Sequence, residues 1–179
     1  MVIFFEQFGG IVSAFNCQGD GWCPRERKIK AFPHLYRPIS GSVSPKDVEW
    51  TQRHETAAMG NAEEYAVYLN QSNKLVIMQQ QSSSAIILQP SSFEIFTIVP
   101  VHSMNGLKFA PIGLQNMYNS GGGIQGVKYG DGWVELEVKG AGQLCAYSSK
   151  MPTTCKVNGE EMRFEWRSVE YNDDCDKKN

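Results

Sequence analysis

From Glu64 onward, short apolar segments recur with turn residues between them. That pattern predicts an all-antiparallel sheet protein rather than alternating strands and helices. Val134-Glu-Leu-Glu-Val-Lys139 alternates strictly, which sets Val134, Leu136 and Val138 on a buried face and Glu135, Glu137 and Lys139 in water. Glu161-Met-Arg-Phe-Glu-Trp166 repeats the alternation and predicts Met162, Phe164 and Trp166 pointing inward. It follows Asn158-Gly159, a pair suited to the two positive-φ positions of a type I′ hairpin turn. Gly130-Asp-Gly132 similarly predicts a turn between flanking strands, and Asn70-Gln-Ser-Asn73 joins Tyr65–Leu69 to Leu75–Met78. Phe93-Glu-Ile-Phe-Thr-Ile-Val99 is apolar on both faces after Glu94, as expected of a strand enclosed between two layers. The expected fold is therefore a two-sheet antiparallel β-sandwich.

The first third is less regular. Gly10-Ile-Val-Ser-Ala-Phe-Asn16 predicts a strand and Gln18-Gly-Asp-Gly21 a turn, while Pro24, Pro33 and Pro38 mark Trp22 to Ile39 as a long loop-like connection. The best helical candidate, His54 to Tyr65, contains Gly60 and few apolar residues, so little helix is expected. One domain over residues 8–166 followed by a disordered, polar tail over 167–179 is the expected organisation.

With 179 residues, 41% hydrophobic and 20% charged, the chain is large enough to bury a core and has ordinary globular composition. A net charge of −2 and a pI near 5.9 carry no electrostatic footprint for nucleic acid, so no nucleic-acid partner is expected. Met1-Val-Ile-Phe-Phe5 lacks a basic flank and is cut by Glu6, which fits neither a signal peptide nor a membrane span; a cytoplasmic protein with no membrane partner is expected. Five cysteines at irregular spacing argue against a disulfide framework or a zinc knuckle. His34, His54 and His102 show no metal-ligand spacing, and no metal or other cofactor is expected.

Asn16-Cys-Gln-Gly-Asp-Gly-Trp22 is the candidate binding segment, with Trp22, Asn16 and Gln18 as its site residues. A Gly-rich turn lets backbone approach a ligand, and an indole offers a flat face to a sugar ring. The competing reading makes this segment a hairpin turn whose Trp22 covers the core. Gly121-Gly-Gly123 has no following Gly-Lys-Ser/Thr and reads as a flexible turn, not a phosphate loop. Cys17 and Cys23 read as packing residues. The acidic pairs Glu63-Glu64, Glu160-Glu161 and Asp173-Asp174 read as solvated, and no catalytic residue is assigned.

Five stretches carry a resemblance: Phe15-Asn-Cys-Gln-Gly-Asp-Gly-Trp-Cys-Pro24, Glu64-Tyr-Ala-Val-Tyr-Leu-Asn-Gln71, Leu88-Gln-Pro-Ser-Ser-Phe-Glu-Ile-Phe-Thr-Ile-Val-Pro100, Lys108-Phe-Ala-Pro-Ile-Gly-Leu-Gln-Asn-Met-Tyr-Asn-Ser-Gly-Gly-Gly-Ile-Gln-Gly-Val-Lys-Tyr129 and Val138-Lys-Gly-Ala-Gly142. Together they resemble the C-terminal region of plant raffinose synthases, the galactinol–sucrose galactosyltransferases, over Phe8 to Trp166. That family is similar to glycoside hydrolase family 36, with its catalytic aspartates in an upstream barrel. The resemblance implies a C-terminal accessory β-sandwich without the catalytic barrel, inactive alone, and a parent enzyme moving a galactosyl group from galactinol to sucrose. It leaves two other readings open: a stachyose synthase or alkaline α-galactosidase (seed imbibition protein) fragment, and a stand-alone non-catalytic galactoside-binding module. Relatives usually add a strand before Phe8-Gly-Gly10 and another beyond Trp166. Both ends of this chain depart from that pattern, so the sheet is expected to lack its edge strands, with exposed ladder groups prone to aggregation.

Overall fold

The computed structural model describes residues 2–5, 8–50 and 61–172. Seventeen strands make up these residues. The first eight are β1 (Val2–Phe5), β2 (Gly10–Phe15), β3 (Asp20–Cys23), β4 (Lys28–Ala31), β5 (Ile39–Val43), β6 (Glu64–Leu69), β7 (Lys74–Gln79) and β8 (Ser84–Leu88). They are followed by β9 (Phe93–Pro100), β10 (His102–Met104), β11 (Leu107–Leu114), β12 (Ile124–Gly130), β13 (Trp133–Val138) and β14 (Leu144–Ser148). The last three are β15 (Lys156–Val157), β16 (Glu160–Glu161) and β17 (Glu170–Asn172). Short 3-10 turns lie at Pro33–Leu35, Pro45–Asp47 and Ser120–Gly123. Among the described residues no helix is long and apolar enough to cross a membrane.

The centre is a six-stranded sheet ordered β1-β2-β9-β6-β7-β17, antiparallel except where β17 runs parallel to β7. Alternation along these strands splits the apolar side chains between two faces. Val12, Tyr65, Val67, Val76, Met78, Phe96 and Ile98 face one way and pack with Val43 and Ile86 of the β5–β8 pair and with Val48 and Trp50. Ala66, Tyr68, Ile77 and Val99 face the other way and pack with Ala110, Ile112 and Tyr147 of the β10-β11-β14 sheet. The fold is thus all-β and sandwich-like, with a central sheet covered on both sides. β9 is buried from Glu94 to Pro100, as its two-sided apolarity predicts.

Several predicted turns are present. Asn158 (φ 53°) and Gly159 (φ 87°) form the β15–β16 turn, Gly130–Trp133 closes β12 on β13, and Asn70–Asn73 closes β6 on β7. Val134, Leu136 and Val138 do share one face, but they are only half-buried because β12 and β13 form a separate two-stranded ribbon.

Four expectations are corrected. Met162, Phe164 and Trp166 are 52%, 37% and 45% exposed, since β16 ends at Glu161 and no layer among the described residues lies over them. The stretch after Trp22 is not simply a loop: Asp20–Cys23 and Lys28–Ala31 pair around a turn that contains Pro24 and Arg27 at φ 50°. Edge strands are not missing, because β1 and β17 flank the central sheet from outside residues 8–166. Gly121-Gly-Gly123 turns, but Gly121 and Gly123 are buried under an Asn119 cap. The adjoining Gly113 has φ +113°, and a Cβ there would lie 1.8 Å from Ser120 O. Most of the His54–Tyr65 candidate and the tail beyond Asn172 lie outside the described residues; Glu64 and Tyr65 open strand β6.

Candidate functional site

The segments that carry the resemblance meet at one end of the central sheet, where β2 ends at Phe15, β9 begins at Phe93, and β6 turns into β7. Backbone bonds sew the loops together: Asn16 N–H donates to Ser92 O at 2.9 Å and Ser91 N–H to Asn16 O at 3.1 Å. Asn70 N–H donates to Ile95 O at 2.9 Å, and Gln115 Nε2 reaches Asn73 Oδ1 at 3.5 Å. Phe15 and Phe93, partners in the β2–β9 ladder, stack at 5.8 Å, and Tyr118 and Phe93 meet edge to face at 6.2 Å. Phe15 and Tyr118 are exposed, so this end presents an aromatic platform rimmed by amide side chains. Sequence reading missed the platform because its rings come from three separated segments; the only local signal was aromatic residues at strand ends.

Asn16, predicted to touch ligand, is instead 1% exposed with its side chain fully engaged. Its Nδ2 donates to Arg37 O at 2.8 Å and Leu88 O at 3.0 Å, and its Oδ1 accepts from Gln18 N–H at 3.1 Å. Those bonds satisfy the amide's two donors and one acceptor position, so Asn16 pins the 16–19 loop to neighbouring strands. Gln18 is exposed beside it. The loop then enters the β3–β4 ribbon through Gly19, whose φ is +92° and where an added Cβ would lie 2.3 Å from the Tyr36 ring, leaving no room for a side chain.

Trp22 stands on that ribbon at 60% exposure, which removes the core-covering reading. Its ladder partner Ile29 is exposed as well. Two residues before it, on the same strand face, Asp20 Oδ1 accepts from Tyr36 O–H at 2.9 Å, and this bond, with some burial, raises the Tyr36 phenol above its ordinary range. The ribbon therefore sets an indole and an apolar neighbour beside a carboxylate–phenol pair, a composition able to stack on a sugar and accept its hydroxyls. The i, i+2 spacing of Asp20 and Trp22 was a readable signal once β3 was recognised as a strand.

Four carboxylates elsewhere are committed to neighbouring groups. Glu94 is buried and accepts from Gln71 N–H (2.7 Å), Ile95 N–H (2.9 Å), Ser72 N–H (3.0 Å) and Ser72 Oγ–H (2.6 Å), closing the β6–β7 turn. Glu64, read as simply solvated, is half-buried and paired with Lys108 at 2.7 Å across the layers. Asp47 caps Ser44 N–H at 2.8 Å, and Glu26 is held below the usual carboxylate range by Lys30 and then Lys28. Glu63 and Glu64 line an open polar cleft with Gln79, Gln80 and Gln81. Among the described residues no group of three or more His, Cys, Asp or Glu is placed to hold a metal ion. Cys17, Cys23, Cys145 and Cys155 are free thiols, and Cys17 is exposed rather than packed. The Cys145 thiol is pushed up, to about 11, by burial beside Ala110, Ile112 and Tyr147.

The family described as "Raffinose synthase or seed imbibition protein Sip1" matches residues 1–172. Stachyose synthase of Pisum sativum is 47% identical over 164 residues, covering 90% of this chain and 19% of that protein. Probable galactinol–sucrose galactosyltransferase 4 of Arabidopsis thaliana is 40% identical over 168 residues, again 90% of this chain and 19% of the relative. Galactinol–sucrose galactosyltransferase of Oryza sativa subsp. japonica is 38% identical over 169 residues, 90% and 21%. The chain spans about a fifth of the length of these relatives, within their C-terminal part.

Proposed function

The chain belongs to the raffinose synthase and seed imbibition protein family, and we propose that it is the non-catalytic β portion of a galactinol-dependent galactosyltransferase. The whole enzyme transfers a galactosyl group from galactinol to sucrose, and this portion buttresses the part that performs the chemistry. The observation that carries the reading is the pairing of a family match along residues 1–172 with coverage of only 19% of the stachyose synthase relative. The carboxylates agree with it. A retaining galactosyl transfer needs a nucleophilic and an acid/base carboxylate about 5 Å apart and open to substrate. Here Glu94, Glu64, Asp47 and Glu26 are instead bound to backbone amides, a serine hydroxyl or lysines.

Deleting the matching C-terminal region from the pea stachyose synthase tests this role. The reading expects loss of soluble, active enzyme, and full activity in the truncated protein would overturn it. Acceptor choice, sucrose or the acceptor of stachyose synthase, falls to the remainder of the enzyme in this account, because both kinds of relative share this region.

One observation favours a second reading, a galactoside-binding face on the same portion: Trp22 is 60% exposed beside Asp20 and Tyr36. Calorimetric titration of the chain with galactinol and raffinose separates the two. Saturable heat supports the binding face, and silence leaves the buttress alone.

A further inference from the structure

After Ser149, still bonded to Lys108 of β11, the chain leaves the body of the fold and returns at Val169, which packs against the second core face, and β17 then joins the central sheet. Every residue from 149 to 168 is exposed. Within this arm, β15 and β16 form a short hairpin, and Met162 N–H donates to Cys155 O at 2.9 Å. From Arg163 to Ser168 no strand pairing is found among the described residues.

The composition of the arm does not match that exposure. Met162, Phe164 and Trp166 alternate with Arg163, Glu165 and Arg167, the pattern of a strand built to bury one face and solvate the other. Met151 and Val157 add to the apolar surface. Both cores of the sandwich close without these side chains. An excursion of this length in a compact domain, carrying a clustered apolar face, marks an interaction surface. The family match runs through the arm, so the arm belongs to the family's sequence pattern, and the relatives are about five times longer than this chain.

We infer that the 162–168 segment is a docking strand for the part of the full-length protein that lies outside this chain. It adds to an open sheet edge there, with Met162, Phe164 and Trp166 against apolar surface and Arg163, Glu165 and Arg167 toward solvent. Strand addition supplies partners for the unpaired backbone, and alternate side chains supply specificity. The inference rests on the buttress reading and names the contact through which that role is exercised.

The test is a chimera in which these 179 residues replace the matching region of the pea stachyose synthase, compared with the 179-residue chain alone. Limited trypsinolysis followed by mass spectrometry reads cleavage after Arg163 and Arg167. Docking slows both cuts at least about tenfold in the chimera. Phe164→Asp restores fast cleavage in the chimera without shifting the melting temperature of the chain alone. Equal rates in the two proteins overturn the inference, as does concentration-dependent protection of the chain alone, which assigns the face to a second copy. Galactosyl transfer by the chimera reports separately on the proposed function: an active chimera with an unprotected arm sinks only the docking, and a protected but inactive one counts only against the function. Should the chimera not accumulate, hydrogen exchange of the intact pea enzyme reads the same segment, and exchange across the residues matching 162–168 as fast as in the separate chain overturns the proposal.

Discussion

Replacing Asn16 with alanine separates its two possible roles, contact with a ligand and closure of the fold. The side chain is 1% exposed and bonds Arg37 O, Leu88 O and Gln18 N–H at 2.8, 3.0 and 3.1 Å. Alanine leaves the buried Leu88 carbonyl and two partly buried groups without these partners. At about 1 kcal/mol for each lost bond, and somewhat more for the fully buried one, the substitution costs about 3 to 4 kcal/mol. For a domain of this size that corresponds to a fall in melting temperature of about 6–16 °C. Asn16→Asp should be at least as harmful, because it keeps the acceptor, removes both donors and places a charge where none is accommodated. Differential scanning calorimetry, supported by urea unfolding with an unchanged m-value, reads the effect. An alanine variant melting within about 2 °C of the parent refutes the reasoning. So does a variant that melts normally and loses galactoside binding, which would return Asn16 to the ligand.

Gly113→Ala should cost about 3 kcal/mol or more in urea titration, because the added Cβ meets Ser120 O at 1.8 Å in a positive-φ backbone; an unchanged midpoint contradicts the close packing of β11 on the Ser120–Gly123 turn. Glu94→Gln puts an NH2 group in place of one carboxylate oxygen, against either the Gln71 and Ile95 N–H groups or the Ser72 N–H, and should cost about 2–3 kcal/mol in the same assay, with a neutral outcome refuting the carboxylate's role in the β6–β7 turn. Burial holds the Cys145 thiol neutral up to about pH 11 against an ordinary value of 9.0, so its contribution is complete below pH 9 and lost as pH rises from 9 to 11. The urea midpoint should fall over that window and fall less in Cys145→Ala, and identical profiles would contradict the assignment. Trp22→Ala should leave the melting temperature within about 2 °C, since the indole is already exposed, and lower any galactoside affinity seen by calorimetry; a large drop in melting temperature would contradict its placement.

Much of the sheet was legible because burial leaves a period in the sequence. Phe93–Val99 reads as apolar on both faces and lies between two layers, and Asn158-Gly159 reads as a hairpin turn and takes positive φ at both positions. The β3–β4 ribbon was not legible, since Asp20–Cys23 and Lys28–Ala31 are short, exposed and flanked by Pro24, with little burial to impose alternation. Glu161–Trp166 carries a strand's pattern for a face that nothing among the described residues covers, so the alternation was legible and the expected burial was not. The site divided in the same way. Trp22 was singled out for its chemistry and is exposed, while Asn16 has chemistry that suits a ligand equally well and spends it on carbonyls 21 and 72 residues away in sequence. A local motif cannot reveal such long-range partners. The Phe15–Phe93–Tyr118 platform was invisible for the same reason, assembled from three segments only by the strand order.

The central claim is that this chain supplies the framework of a galactosyltransferase without its chemistry. The most direct test is to purify the 179 residues, establish a cooperative melt, incubate them with galactinol and sucrose, and separate the products by chromatography. The account predicts no raffinose from the folded sample, whereas raffinose formed in proportion to the protein added would place the reacting carboxylates in this chain and contradict it.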